Sequence, residues 1–281
     1  MRVPALSRAT VDRDAGSRDD PELLDRLWSQ SRVLVVDDGR ALMDGTDLVL
    51  LGPDEVPTAD RYYLGAEDGV PFFAVSAPLP RRLGLRPQHL REVGALLSDR
   101  DAGLMTHAVG LANWHATHVR CPRCGAPTTS TRGGAVRRCD QDGSEHFPRT
   151  DPAVIMLVTD GGERCVLGRQ AVWPAGRFST LAGFVEPGES AELAVVREVE
   201  EETGILARDV VYRGSQPWPF PASLMLGYRA VCEPDAVPHA KDGELEDARW
   251  FTKDELRDNE RVLPGPVSIA YRLITEWVEQ V

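Results

Sequence analysis

The sequence predicts an α+β protein in three parts: an N-terminal β-rich domain over residues 1–118, a small cysteine-bearing segment over 119–150, and a C-terminal mixed domain over 151–281. Three observations carry that prediction. Short β-rich runs separated by Asp-Gly and Pro turns occupy residues 33–77. Cys121, Cys124 and Cys139 crowd into nineteen residues. Beyond them, strand-like runs alternate with helical stretches, one of which is densely acidic. A length of 281 residues allows about two domains with cores of their own at roughly 150 residues each.

Residues 1–24 contain basic residues but no apolar core of about 7–15 residues, so a secretory leader is not expected and the stretch reads as a mobile polar lead-in. The runs at 33–36 (VLVV), 48–51 (LVLL) and 71–77 (PFFAVSA) predict a small antiparallel sheet. A helical stretch follows from about Pro87 to His118, interrupted near Ser98–Gly103, with Leu104, Ala108, Leu111 and His115 spaced to share a face. The segment 119–150 has too few apolar residues to fold around its own core. From Asp151 the chain reads as a strand at 153–158, a second near 164–168 and a Gly/Pro-rich turn. A helix over 190–203, strands around 209–214 and 224–232, and a closing helix over 266–278 complete it. No internal repeat or low-complexity tract interrupts this order.

Composition narrows the function classes. With 42% hydrophobic and 27% charged residues, the chain is that of a soluble globular protein. Its longest apolar run, Ala153 to Val158, is far short of the ~20 residues that span a bilayer. A formal charge of −12 opposes indiscriminate binding to a phosphate backbone. Five cysteines, an odd and clustered set, fit a reducing cytoplasm better than a disulfide framework.

The most informative stretch is GFVEPGESAELAVVREVEEETGI, residues 183–205. On a helix, Glu198, Glu201 and Glu202 stand at i, i+3 and i+4, so three carboxylates share a face within about one turn. Like charges that close repel, and divalent cations relieve the repulsion. Oxygen ligands of this kind suit Mg²⁺ or Mn²⁺, ions that keep waters and bridge to phosphates. Arg197 is placed to orient one carboxylate through a bidentate pair. Gly204 is the natural left-handed stop, while Gly183, Pro187 and Gly188 let the preceding loop lie back over the helix. Leu193, Val196 and Val199 are expected to supply the stripe facing the core, with the glutamates opposite.

These residues match the Nudix box, G-x5-E-x7-R-E-U-x-E-E-x-G-U with U a bulky aliphatic residue. Gly183, Glu189, Arg197, Glu198, Val199, Glu201, Glu202, Gly204 and Ile205 fill every specified position. The chain therefore resembles the Nudix hydrolases. That resemblance implies an α/β/α sandwich and hydrolysis of a nucleoside diphosphate linked to another group. It also implies metal ligation by Glu198 and Glu202 with the Ala182 carbonyl, and leaves Glu201 as a further ligand or the base. Such a reaction makes physical sense on these residues, because cations held there generate hydroxide near neutral pH and neutralise the leaving phosphate.

Ten residues past the box stands SQPWPFPAS, residues 215–223, whose three prolines hold a backbone extended and present an indole and a phenyl ring. A rigid aromatic ribbon can stack a flat ring. The string closely resembles the S-Q-P-W-P-F-P-x-S motif of the NADH pyrophosphatase branch. By that resemblance Gln216, Pro217, Trp218, Pro219, Phe220, Pro221, Ala222 and Ser223 line the dinucleotide site. Glu244 matches a downstream metal-binding glutamate, Ala270 a backbone contact to substrate, and Phe147 an aromatic that packs on the base. Arg91 is placed to reach the substrate from the N-terminal domain. The resemblance covers the chain well from Cys121 onward and only loosely before it.

Cys121-Pro-Arg-Cys124 is a knuckle able to hold one tetrahedral Zn²⁺, and Cys139 follows at the spacing of a second pair. The resembled family has a four-cysteine zinc ribbon here. This chain departs from it, with Asp142 where the fourth cysteine belongs and His146 as the next available ligand, so the site is Cys121, Cys124 and Cys139 completed by Asp142 or His146. Cys165 and Cys232 read as small core residues, and His115 and His118 as packing or capping a helix end.

The resemblance implies a metal-dependent enzyme that splits NADH and NAD⁺ at the diphosphate to give AMP and nicotinamide mononucleotide. It implies NAD-capped RNA as a second-ranked substrate and a homodimer as the assembly. Two alternatives stand beside it: a Nudix hydrolase for ADP-ribose or a nucleotide sugar, and a non-enzymatic zinc-ribbon adaptor for nucleic acid.

Overall fold

A computed structural model describes residues 3–241, 243–258 and 262–280, and these form two compact units. One takes residues 6–150 together with 218–222. The other takes the described residues of 1–5, 151–217 and 223–281.

In the first unit, helix α1 (Pro21–Trp28) precedes strands β1 (Arg32–Val36), β2 (Arg40–Asp44), β3 (Asp47–Leu48), β4 (Arg61–Glu67), β5 (Val70–Ser76) and β6 (Arg86–His89). Helices α2 (Leu90–Val93) and α3 (Asp99–Thr117) follow. The β4–β5 hairpin turns on Asp68 and Gly69, both at positive φ (50° and 76°), the conformation a two-residue turn of right-handed strands demands. The sheet β1-β5-β4 is mixed, not antiparallel as the short runs predict, because β1 pairs with β5 in parallel, Arg32 opposite Phe72. A parallel pair needs a long crossover, and residues 37–69 provide it. β2, β3 and β6 make a second small sheet.

Two further expectations change. The lead-in is tied down, since Asp12 and Ala66 exchange two backbone hydrogen bonds (3.0 and 2.9 Å). Leu24 and Leu27 of α1 also pack on the core around Tyr63 and Phe73. The long helix begins later than Pro87, which lies in β6, and it breaks after Val93 until the Ser98 hydroxyl caps α3 by accepting from the Asp101 N–H. Leu104, Ala108, Leu111 and His115 are all buried on α3.

Strands β7 (Thr128–Thr131), β8 (Val136–Cys139) and β9 (Glu145–His146) form an antiparallel sheet. Polar bonding supports this apolar-poor segment. Buried Arg137 donates to Thr128 Oγ1 (2.7 Å) and to His115 Nδ1 (2.8 Å). Arg137 has no acceptor, so Nδ1 accepts and Nε2–H donates to the Gly134 carbonyl at 2.8 Å. His115 is thereby fixed as a packing residue, stacked on Tyr62 at 4.5 Å.

The second unit runs β10 (Asp151–Thr159), β11 (Arg164–Arg169), β12 (Leu181–Phe184), α4 (Ala191–Thr203), β13 (Arg208–Trp218), β14 (Ser223–Val231), β15 (Asp247–Thr252), α5 (Lys253–Arg257) and α6 (Ile269–Val278). Its six-stranded sheet has the order β13-β14-β10-β11-β15, with β12 paired to β10. Strand β10 is apolar on both faces, and its alternation divides the core. Val154, Met156 and Val158 meet Val195 and Val199 of α4, while Ile155 and Leu157 meet Ile269, Leu273 and Trp277 of α6. The result is an α/β/α sandwich. Among the described residues, no helix is long and apolar enough to cross a membrane.

Candidate active site

Helix α4 starts at Ser190, whose hydroxyl accepts from the Leu193 N–H, and stops at Gly204 in the left-handed conformation (φ 72°). Its buried face is Ala194, Val195, Val199, Glu202 and Thr203. Of the expected stripe, Val199 is buried but Val196 is half-buried and Leu193 is 62% exposed, while Glu202, expected opposite the core, is only 3% exposed. Periodicity assigns glutamate to the surface by default, and it cannot register a carboxylate buried for a purpose.

Gly183, in β12 beside Ala182, lies under the Glu198 carboxyl group. A Cβ there would stand 1.9 Å from its carboxyl carbon and 2.0 Å from Oε1. Only a residue without a side chain lets that carboxylate rest against the strand that carries the Ala182 carbonyl. Antiparallel pairing fixes the level, with Ala182 opposite Ile155 and Gly183 opposite Val154.

Arg197 laces the site together. Its Nε and Nη2 donate to the two oxygens of Glu189, both at 2.8 Å. Nη1 donates to Glu198 Oε1 (2.8 Å) and Glu201 Oε2 (2.9 Å), and Nη2 also donates to the Phe184 carbonyl (2.9 Å). The loop before the helix is thus tied to the helix by one guanidinium. These bonds, Arg197 foremost, hold the Glu189 carboxyl down at about 2 and raise the Arg197 guanidinium. Burial pushes Glu198 upward, partly opposed by Arg197 and reinforced by Glu201 and Glu244. Glu244 also accepts from Gln170 Nε2 at 3.4 Å. Glu189, Leu193, Val196, Arg197, Glu200, Glu201 and Lys241 border a depression of about 510 Å³. Carboxylates and a backbone carbonyl form a hard-oxygen donor set, which fits a divalent cation of the Mg²⁺ or Mn²⁺ kind.

The aromatic-proline stretch divides. Gln216, on β13, is fully buried and donates its amide to the Val267 carbonyl at 3.1 Å. Trp218–Ala222 belong to the N-terminal unit. There Trp218 and Phe220 meet edge to face at 5.0 Å. The Arg91 guanidinium lies 4.3 Å from the Phe220 ring centre and 5.4 Å from that of Trp218. Ser223 opens β14 opposite Asp151. Phe147 is 61% exposed. Ala270 is buried on α6, its N–H taken by the Ser268 hydroxyl at 3.1 Å.

Cys121, Cys124, Cys139 and Asp142 bring their ligand atoms within 4.8 Å of one another. Cys124 and Cys139 sulfurs are 3.5 Å apart, and the Arg123 and Asp142 N–H groups each donate to a sulfur at 3.4 Å. Burial raises the Cys121 thiol, but bonds from Ser144, the Arg123 and Cys124 amides and His146 prevail and bring it to about 6. Thiolates with amide donors fit a tetrahedral Zn²⁺. His146 Nε2 lies 3.2 Å from the Ser144 hydroxyl, which itself donates to Asp142 at 2.5 Å.

The clearance at Gly183 and the role of Glu189 carry no signal in the sequence beyond the motif. Both occupy box positions, but their reason appears only when residues fifteen and eight apart meet in space.

The NUDIX domain model matches residues 149–275. The NADH pyrophosphatase-like rudimentary NUDIX domain model matches 26–114, and the NADH pyrophosphatase zinc ribbon domain model matches 116–147. The NAD-capped RNA hydrolase NudC of Mycobacterium bovis (strain BCG / Pasteur 1173P2) is 41% identical over 296 residues, covering 98% of this chain and 95% of its own. NudC of Mycobacterium tuberculosis (strain ATCC 25618 / H37Rv) is 40% identical with the same coverage. The NAD-capped RNA hydrolase NUDT12 of Homo sapiens is 39% identical over 198 residues, which are 65% of this chain and 43% of the human protein.

Proposed function

The chain belongs to the Nudix hydrolases, in the branch that carries an NADH pyrophosphatase-like N-terminal domain and zinc ribbon, and we propose that it hydrolyses the diphosphate of NADH and NAD⁺ and removes NAD caps from RNA 5′ ends. Water adds to one phosphorus, the bridging oxygen leaves with the other, and the products are AMP and nicotinamide mononucleotide. The observation that carries the reading is the Glu198 carboxylate resting over Gly183, beside Glu201 and Glu202 on one helix.

Glu198, Glu201 and Glu202, with the Ala182 carbonyl and Glu244, hold Mg²⁺ or Mn²⁺, which when bound neutralises diphosphate oxygens and lowers the pKa of water. Arg197 aims Glu198 and Glu201 by the bonds described above. Glu201, whose Oε2 accepts from Arg197 Nη1 at 2.9 Å, serves as a further ligand or as the acceptor of the water proton. We assign Trp218 and Phe220, with Arg91 4.3 Å from the Phe220 ring centre, to stacking the dinucleotide rings, and Phe147 and Ala270 each to a contact with substrate. Cys121, Cys124 and Cys139, with Asp142 or His146, hold structural Zn²⁺. The enzyme works as a homodimer in the cytoplasm, where its five unpaired cysteines persist.

Purified protein incubated with NADH, NAD⁺, NAD-capped RNA, ADP-ribose and a nucleotide sugar, each with Mg²⁺ or Mn²⁺, tests this. Release of AMP and nicotinamide mononucleotide from the first two substrates, well above turnover of the last two, is expected. Comparable turnover of all five would remove the substrate assignment.

A further inference from the structure

The aromatic stretch has an unusual backbone. Strand β13 ends at Trp218, and beyond it Pro219 and Pro221 supply no N–H that could extend the ladder. Within it, the Phe220 N–H donates to the Trp218 carbonyl at 2.7 Å. The carbonyls of Pro219 and Pro221, on either side of Phe220, need donors from elsewhere.

Asn113 provides them. It projects from α3, and its Nδ2 donates to the Pro219 carbonyl at 2.8 Å and to the Pro221 carbonyl at 3.4 Å. Two carbonyls can be met only by a donor, so the NH₂ end must face the loop. One turn earlier on the same helix face, a Cβ at Gly110 would sit 3.7 Å from Pro219 Cβ, so the loop lies against α3 at van der Waals distance. On the other side, Arg91 covers Phe220, and the His89 ring lies 5.3 Å from it. Asn113, Arg91, His89 and Phe220 together line a cavity of about 630 Å³.

We propose that Asn113 is a positioning residue for dinucleotide binding: its amide bridges the two carbonyls flanking Phe220 and so fixes how the Trp218 and Phe220 rings are presented. The inference rests on the reading of that loop as the dinucleotide site. It assigns part of substrate selection to α3, an element carrying none of the box residues. A preformed ring pair binds without the entropy of ordering the loop, so loss of the bridge weakens binding more than chemistry.

The test measures kcat and KM for NAD⁺, and Tm, in Asn113→Ala, in the isosteric Asn113→Asp, in Phe220→Ala, and in the Asn113→Ala/Phe220→Ala double variant. Asn113→Ala and Asn113→Asp should raise KM roughly tenfold, as the loss of one to two hydrogen bonds implies, with kcat within threefold and Tm held. Phe220→Ala should also raise KM, and the double variant should be no worse than Phe220→Ala alone, because the bridge acts only through that loop. Additive effects, or an unmoved KM in both Asn113 variants beside a raised KM in Phe220→Ala, overturn the role of Asn113 alone. An unmoved KM in Phe220→Ala instead overturns the reading of the loop, and the inference with it.

Discussion

Replacing Gly183 by alanine separates the geometry of the acidic site from the stability of the fold. The new methyl would sit 1.9 Å from the Glu198 carboxyl carbon, and ordinary contact begins near 3.4 Å, so the carboxylate must retreat by about 1.5 Å. It can do so, being the free end of a flexible side chain. The penalty is the charge-assisted bond to Arg197, about 1 kcal/mol in this half-buried setting. Alanine in a strand regains roughly 0.5–1 kcal/mol of chain entropy relative to glycine, so Tm should barely move. Chemistry should fare differently, since a misplacement of about 1 Å in a reacting constellation lowers rate by about a hundredfold, or about 2.7 kcal/mol of activation free energy. Initial rates of AMP release at saturating Mg²⁺, beside thermal melts, decide the matter. Wild-type kcat/KM in Gly183→Ala would refute the argument, and so would a lost rate matched by a large fall in Tm.

Three further outcomes follow from the same structure. Glu202→Gln should reduce turnover by at least about a hundredfold, since an amide cannot supply a ligand's charge, and circular dichroism should be unchanged; activity near that of the parent would remove Glu202 from the ligand set. His107 on α3 has its pKa pushed down to about 3 by burial, with repulsion from Arg13 and Arg18 adding to it. The unfolded chain takes up a proton near pH 6.5 that the folded chain refuses, so stability is full above 6.5, declines as pH falls toward 3, and is about 2 kcal/mol lower at pH 5. His107→Gln should flatten that slope in denaturant melts, and an unchanged slope would contradict the assignment. Asp142→Ala should lower the zinc retained through dialysis against a weak chelator while His146→Ala should not, and the reverse ranking would make the histidine the fourth ligand.

Much of the catalytic half was legible in the chain because its reasons are local. The box glycine that ends α4, the helix over 190–203 and the strand at 153–158 depend on residues a few positions apart, and local patterning captures such spacing directly. The parallel union of β1 and β5 was hidden because about forty residues separate the partners, and no short-range signal distinguishes a returning strand from a hairpin. Glu202 illustrates a second limit. Binary patterning sorts side chains by polarity, so a buried carboxylate is misplaced by the same rule that correctly buries Val199. Asn113 shows a third. Flanked by Ala112 and Trp114 mid-helix, it belongs to no motif, and its meaning arises only where two prolines more than a hundred residues away present their carbonyls. Of the aromatic stretch, sequence could read that the rings are rigidly carried but not what steadies them.

Strand β10 pairs with β12 and with β14 at once, so one nine-residue segment sets the height of both Ala182, opposite Ile155, and Ser223, opposite Asp151. Deleting or inserting a single residue between those two points would slide one level past the other by about 3.3 Å and turn every inward side chain outward. Length polymorphism should therefore be purged from this strand in descendants of the gene.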